Sequence, residues 1–237
     1  MSSSTDRVSL DVADGTTMDA YVARPKSGAA GPGILVFQEA FGVNAHMRDV
    51  TDRFAALGFT AIAPELFHRT APGFEGSDAD FEAVRPHMAA LSADGINADI
   101  DAAYGWLASQ QGVDCARIAA AGFCMGGRVT YMANARVNLA AAASFYGGGI
   151  VPDLLPLAQQ QSGPILMFWG GLDAHIPPEQ YRAVADALSA AKKTHEQVVF
   201  GQADHAFFND TRRSYNAIAA RQAWALVKEF FAAYGVL

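Results

Sequence analysis

The chain has 237 residues, 51% of them apolar and 17% charged, and a formal net charge of −7. That composition supplies a large packed core and excludes a mainly disordered chain. No basic run exceeds the pairs Lys192-Lys193 and Arg212-Arg213, no apolar run approaches the length of a membrane span, and the N-terminal stretch lacks the apolar centre of a signal peptide, so a cytoplasmic protein that binds neither nucleic acid nor membrane is expected.

In chain order, residues 7–12 and 17–25 alternate apolar and polar side chains around Asp14-Gly15, which predicts an antiparallel hairpin. Residues 34–37 form a continuous apolar run after Pro32 and Gly33, the mark of a buried strand. Helical periodicity over 46–57 stops at Gly58, and 59–66 reads as a second buried strand broken by Pro64. Residues 67–80 are turn-rich and read either as a surface loop or as the rim or lid of a pocket. Helices follow over 79–92 and 95–110, then a strand over 116–123 and a helix over 126–135. Strands over 139–148 and 163–173, a helix over 178–191, a strand over 196–207 that runs into a loop, and a helix over 214–233 complete the chain. Alternation of this kind predicts an α/β fold: a mostly parallel sheet with helices on both faces and the hairpin at its leading edge. No linker or repeat interrupts it, so residues 1–237 are expected to form a single domain.

Cys124 lies in "GFCMGG", residues 122–127, between a predicted strand and a predicted helix. The frame is that of G-x-S-x-G with Cys in place of Ser, where the nucleophile occupies a strained strand-to-helix turn. Small residues two before and two after it are required because neighbouring backbone passes close by. The positive end of the helix then lies behind the sulfur. The alternative is a buried structural thiol. Asp173 closes one predicted strand and His205 follows the last one, giving the order nucleophile, acid, His along the chain, each at a strand's carboxyl end. Asp173 could instead cap the helix near Pro177-Pro178, and His205 could be a surface residue beside Asp204. His46, His68, His87, His175 and His195 occupy no comparable context, and no histidine stands at metal-ligand spacing from another His or from Cys. In such a fold the oxyanion hole takes the N–H of the residue after the nucleophile, Met125, and one from the loop after an earlier strand, here Ala40. Glu39, beside it, is a carboxylate adjoining an apolar run. Phe41 and Phe207 flank these positions as candidate pocket walls, while Trp106, Trp169 and Trp224 are expected in the core.

Together, "QEAFGVN", "GFCMGG", "WGGLD" and "DHAF" resemble the dienelactone hydrolase (carboxymethylenebutenolidase) family, over nearly the whole chain. The resemblance implies an α/β-hydrolase fold with Cys124 as nucleophile, His205 as base and Asp173 as its orienting partner. It implies that Glu39 contacts the cysteine at rest and assists thiolate formation, that no metal or organic cofactor takes part, and that the protein is a monomer acting on a small lactone or ester. The implied reaction is the opening of an enol-lactone, dienelactone to maleylacetate, in the degradation of aromatic compounds. One departure stands out. The family holds its substrate carboxylate with two arginines, and the position four residues after the catalytic His is here Asn209. Arg85 is nearest to the other, with a poor local match, and Arg69, Arg212 or Arg213 are the remaining sources of charge. Three other functions stay in view: a broader carboxylesterase or thioesterase, a redox-sensing thiol with Cys115 as resolving partner, and a non-catalytic binding module. An intact triad argues against the last, and the extended strand between the two cysteines against the redox role.

Overall fold

The computed structural model describes residues 4–26 and 30–237, so the first three residues of the N-terminal stretch lie outside it. Eight strands, β1 (Ser4–Asp11), β2 (Thr17–Arg24), β3 (Gly31–Phe37), β4 (Thr60–Pro64), β5 (Val113–Phe123), β6 (Ala141–Phe145), β7 (Ile165–Gly170) and β8 (His195–Phe200), form a sheet in the order β1-β2-β4-β3-β5-β6-β7-β8. β1 and β2 pair antiparallel, as do β2 and β4, while β3–β4, β6–β7 and β7–β8 are parallel. The helices are α1 (Ala45–Ala56), α2 (Phe81–Ala89), α3 (Ala93–Ala108), α4 (Met125–Arg136), α5 (Pro178–Ala190) and α6 (Ala217–Ala233). The mostly parallel sheet with its antiparallel N-terminal hairpin is the architecture expected from the alternating pattern. The chain divides into two compact units, one ending at Ala119 and the other beginning at Ala120.

In the first unit the hairpin turns at Gly15, whose φ of +85° suits a residue without a Cβ. Met18, Ala20 and Val22 alternate into the core, the period-2 signal made physical. Asn44 caps α1 through Met47 N–H, and the helix lays Met47, Val50 and Phe54 into the core. Its stop comes at Gly58, at φ +103°. The turn-rich stretch after β4 is held down by specific bonds. Gly76 N–H donates to the Phe41 carbonyl (3.0 Å), Gly73 N–H to the Glu65 carboxylate (2.8 Å), and Arg48 clasps Glu75. Gly42, at φ +77°, lies so close to the Phe74 carbonyl that any Cβ there would collide with it. Phe74 also packs beside Ala40, Phe41 and Val84. Phe67, His68 and Phe74 anchor this stretch to the unit, while most of its residues from Arg69 to Asp80 are exposed.

In the second unit the core is a stack of aromatic rings, Phe123 on Phe145 (4.5 Å), Phe145 on Phe168 (4.6 Å) and Phe208 against both Phe123 and Phe145. α4 packs on β6 with no room to spare. A Cβ on Gly127 would stand 2.6 Å from the Phe145 carbonyl oxygen. The buried amide of Asn134 holds the far end of α4, donating to Gln161 Oε1 and the Gly163 carbonyl (2.8 Å each) and accepting from Gly163 N–H (3.1 Å). The segment it grips includes a short 3-10 helix, Leu155–Gln160, which periodicity alone did not predict. Trp169 is buried as expected, its indole N–H bonded to Gln197.

Candidate active site

Cys124 follows the end of β5 and forms the N-cap of α4 with φ +55° and ψ −117°. A non-glycine residue there is strained, and strain of this kind persists only where surrounding structure holds it. Here the Cys124 N–H donates to the Phe145 carbonyl (3.0 Å), and the Cys124 carbonyl accepts from Gly127 N–H (2.9 Å). Gly122 is obligatory in the same turn: a Cβ on it would run into the Gly126 carbonyl and the Thr130 hydroxyl. The turn leaves Cys124 partly exposed rather than sealed in the core.

His205 Nε2 lies 3.2 Å from Cys124 Sγ, and His205 Nδ1 lies 2.7 Å from Asp173 Oδ2. The backbone explains why residues so far apart in sequence meet. The loop after β7 and the loop after β8 run against each other without side chains between them. Gly171 N–H donates to the Phe200 carbonyl and Leu172 N–H to the Ala203 carbonyl (2.9 Å each). A Cβ on Gly170 would stand 2.7 Å from the Ala203 carbonyl oxygen, and one on Gly171 2.7 Å from Gly201 Cα. The glycines of "WGGLD" therefore set the distance between Asp173 and His205. Asp173 does not cap α5, whose N-cap is Pro177 with no side-chain bond. Its second oxygen accepts instead from His175 N–H (2.8 Å).

The electrostatics favour a charged pair. Burial alone raises the carboxyl of Asp173 and is its largest influence, but the His205 hydrogen bond and charge and the His175 N–H together bring it below the usual range. Burial likewise opposes the imidazolium of His205, yet the hydrogen bonds to Asp173 and Cys124, with the charges of both, raise it to about 10. The imidazolium of His205 is thus favoured when Asp173 and the Cys124 sulfur both carry charge.

Periodicity and motif missed three residues. Tyr146, at φ +40° just beyond β6, sets its ring edge to His205 at 5.2 Å. His175 presents its exposed ring at 5.5 Å to the same imidazole. Arg128 stands one helical turn after Cys124. The signals available were position only: a strand end, two residues past the acid, and i+4 from the cysteine.

Other candidates are placed as follows. Met125 N–H is at the first position of α4, directly after the cysteine. Glu39 and Ala40 are buried just past β3, where the Glu39 carbonyl accepts from the Gln38 side-chain amide (3.3 Å). Phe41 is buried beside Val84, and Phe207 is fully buried with its ring against Tyr146 and Phe200 (5.2 Å each), so Phe207 supports the histidine loop from below rather than facing solute. Arg69 is not a spare charge: it is tied to Asp14 (2.7 Å) and to the fully buried Asp99, which also holds His68. Arg85 is exposed on α2 and paired with Glu82, and Arg213 is exposed. Asn209 is buried, its carbonyl oxygen accepting from the N–H and hydroxyl of Thr211 (3.0 and 2.7 Å). Cys115 is a free, exposed thiol near the start of β5, donating to the Ala108 carbonyl. Among the described residues no three His, Cys, Asp or Glu side chains gather as metal ligands, and no helix is long and apolar enough to cross a membrane.

The model of the dienelactone hydrolase family matches residues 18–235. The chain belongs to the dienelactone hydrolase family. A protein named "Putative carboxymethylenebutenolidase" from Salmonella typhimurium is 38% identical over 93% of this chain and 84% of its own. One of the same name from Synechocystis is 36% identical over 89% of each. The crystal structure of a "Putative Dienelactone Hydrolase" from Klebsiella pneumoniae, 33% identical, superposes with a TM-score of 0.84 over 97% of this chain and 99% of that one. With family membership come the α/β-hydrolase fold and the general activity: hydrolysis of a carboxylic ester or lactone of a small molecule.

Proposed function

We propose that this family member opens an enol-lactone of the dienelactone type through a Cys124 thioester. The observation that carries the reading is the continuous hydrogen-bonded line from Cys124 through His205 to Asp173. The Cys124 proton passes to His205, and the thiolate forms a C–S bond to the lactone carbonyl carbon. By the rule of this fold, the oxyanion is assigned to the N–H groups of Met125 and Ala40. Collapse breaks the ring C–O bond, and the leaving enolate takes the proton from His205, which returns to the neutral imidazole. Water then attacks the thioester while neutral His205 accepts its proton. The C–S bond breaks, and the sulfur regains its proton through His205. On the family resemblance we assign Glu39 to promoting thiolate formation in the presence of substrate. No step calls for a metal or cofactor.

The test compares hydrolysis of a dienelactone with that of p-nitrophenyl acetate by wild type and Cys124→Ala. The expected outcome is a strong preference for the dienelactone and a loss of roughly 10⁴-fold or more on both substrates in the variant. Full activity without Cys124 overturns the mechanism. A second reading, a broader esterase, is favoured by Asn209, which is uncharged and turned inward to Thr211. Turnover of the simple ester alone, through Cys124, would establish it in place of the first.

A further inference from the structure

Arg128 lies on the first turn of α4, four residues beyond Cys124, so the two side chains share one face of the helix start. The loop after β6 folds over it. A Cβ on Gly147 would stand 2.9 Å from Arg128 N, and one on Gly149 3.1 Å from a guanidinium nitrogen and 3.4 Å from Arg128 Cδ. Gly149 takes φ +77° and is exposed, so the loop confines the guanidinium while leaving its flank open to solute. Burial is the largest influence on Arg128 and lowers it; the one group acting against that is the Cys124 sulfur. Among the described residues no carboxylate, carbonyl or hydroxyl accepts a hydrogen bond from this guanidinium. That sets it apart from Arg7, Arg48, Arg69, Arg85 and Arg117, each of which has an acidic partner.

A half-buried guanidinium with no protein acceptor has only solvent or a bound ligand to take its hydrogen bonds. Five N–H donors in a planar fork are suited to an oxyanion taken two oxygens at a time, and the oxyanion that a small ester or lactone carries is a carboxylate. We infer that Arg128 is the specificity-determining cation of this site, binding a carboxylate that the substrate carries a few bonds from its scissile carbonyl. The assignment rests on Cys124 being the nucleophile, and it places substrate charge recognition on the helix that carries the nucleophile. Neutral esters of the same length lack the group that Arg128 holds. The enzyme therefore separates half-esters from diesters by charge.

The experiment has a kinetic and a binding arm. The kinetic arm measures kcat/KM for p-nitrophenyl hydrogen succinate and for neutral p-nitrophenyl butyrate with wild type, Arg128→Gln and Arg128→Lys. The anionic-to-neutral ratio is expected to fall at least tenfold in the Gln variant, mainly through KM, and to be largely restored by Lys. The binding arm uses Cys124→Ala, which cannot turn over, and titrates methyl hydrogen succinate by calorimetry with and without Arg128→Gln. At least tenfold weaker binding on loss of Arg128 is expected. Equal loss on both esters, or half-ester binding indifferent to Arg128, overturns the assignment. Ester hydrolysis that survives Cys124→Ala strikes at the nucleophile instead, and the binding arm then decides Arg128 by itself.

Discussion

Cys124 combines a backbone at φ +55° with a sulfur 3.2 Å from His205. The first costs about 1–3 kcal/mol in a non-glycine residue and serves only to aim the second. Cys124→Gly is therefore expected to be inactive and more stable than Cys124→Ala by about 1 kcal/mol, once the greater freedom of glycine in the unfolded chain is subtracted. Urea denaturation of the two variants checks it, and equal midpoints would remove strain from the account. Asp173 acts through His205 alone, since its other oxygen is occupied by the His175 N–H. Asp173→Asn should lower kcat by roughly 10²–10⁴-fold with the fold intact by circular dichroism. Cys124, Asp173 and His205 could be chosen from the chain because each stands beside punctuation that motif logic reads: an elbow, a strand end, a final loop. Tyr146, His175 and Arg128 had no such mark. What they touch depends on how far a strand runs and where a loop turns, and β6 ends at Phe145 rather than at residue 148.

The elements that matter most for chemistry are the loops after β7 and β8, locked together by glycine backbone. Gly170→Ala drives a methyl group into the Ala203 and Asp204 carbonyls. It is expected to cost about 1–3 kcal/mol and to lower kcat/KM by moving Asp173 away from His205. Gly201→Ala, where a Cβ meets nothing within 4 Å, is the matched control and should change neither thermal midpoint nor rate appreciably. If the two variants behave alike, close backbone approach is not what sets the acid–base distance. Elements with strong periodicity, such as α1, α3 and α6, were legible to within a few residues. The Leu155–Gln160 helix was not, because a 3-10 turn held by Asn134 and Gln161 has its cause in another element rather than in its own pattern.

At the scale of the whole molecule, the charge on His205 couples folding to pH. Its folded value, about 10, lies above its ordinary value of 6.5. The stabilisation is therefore complete below pH 6.5 and is lost as pH rises through about 10. Asp173 works in the opposite direction: held below 3.8, it contributes above that value and loses its contribution as pH falls through the folded one. The difference in melting temperature between wild type and His205→Gln should be largest between these limits, near pH 6, and should shrink towards pH 10. A difference that grows on the alkaline side would mean that His205 is not held as the imidazolium.

Hydrophobic periodicity, turn residues and the order of Cys124, Asp173 and His205 determined the α/β class, the strand and helix sequence and the choice of the three residues that the fold joins by hydrogen bonds, because these are local properties of the chain. Tertiary structure alone decided which charges are spent and which are open. Arg69 and Arg128 look alike along the sequence, but Asp14 and Asp99 hold the first, while the second lies under the Gly147–Gly149 turn with no acceptor among the described residues. A side chain's partners come from elements far away in sequence, and only folding brings those elements into contact.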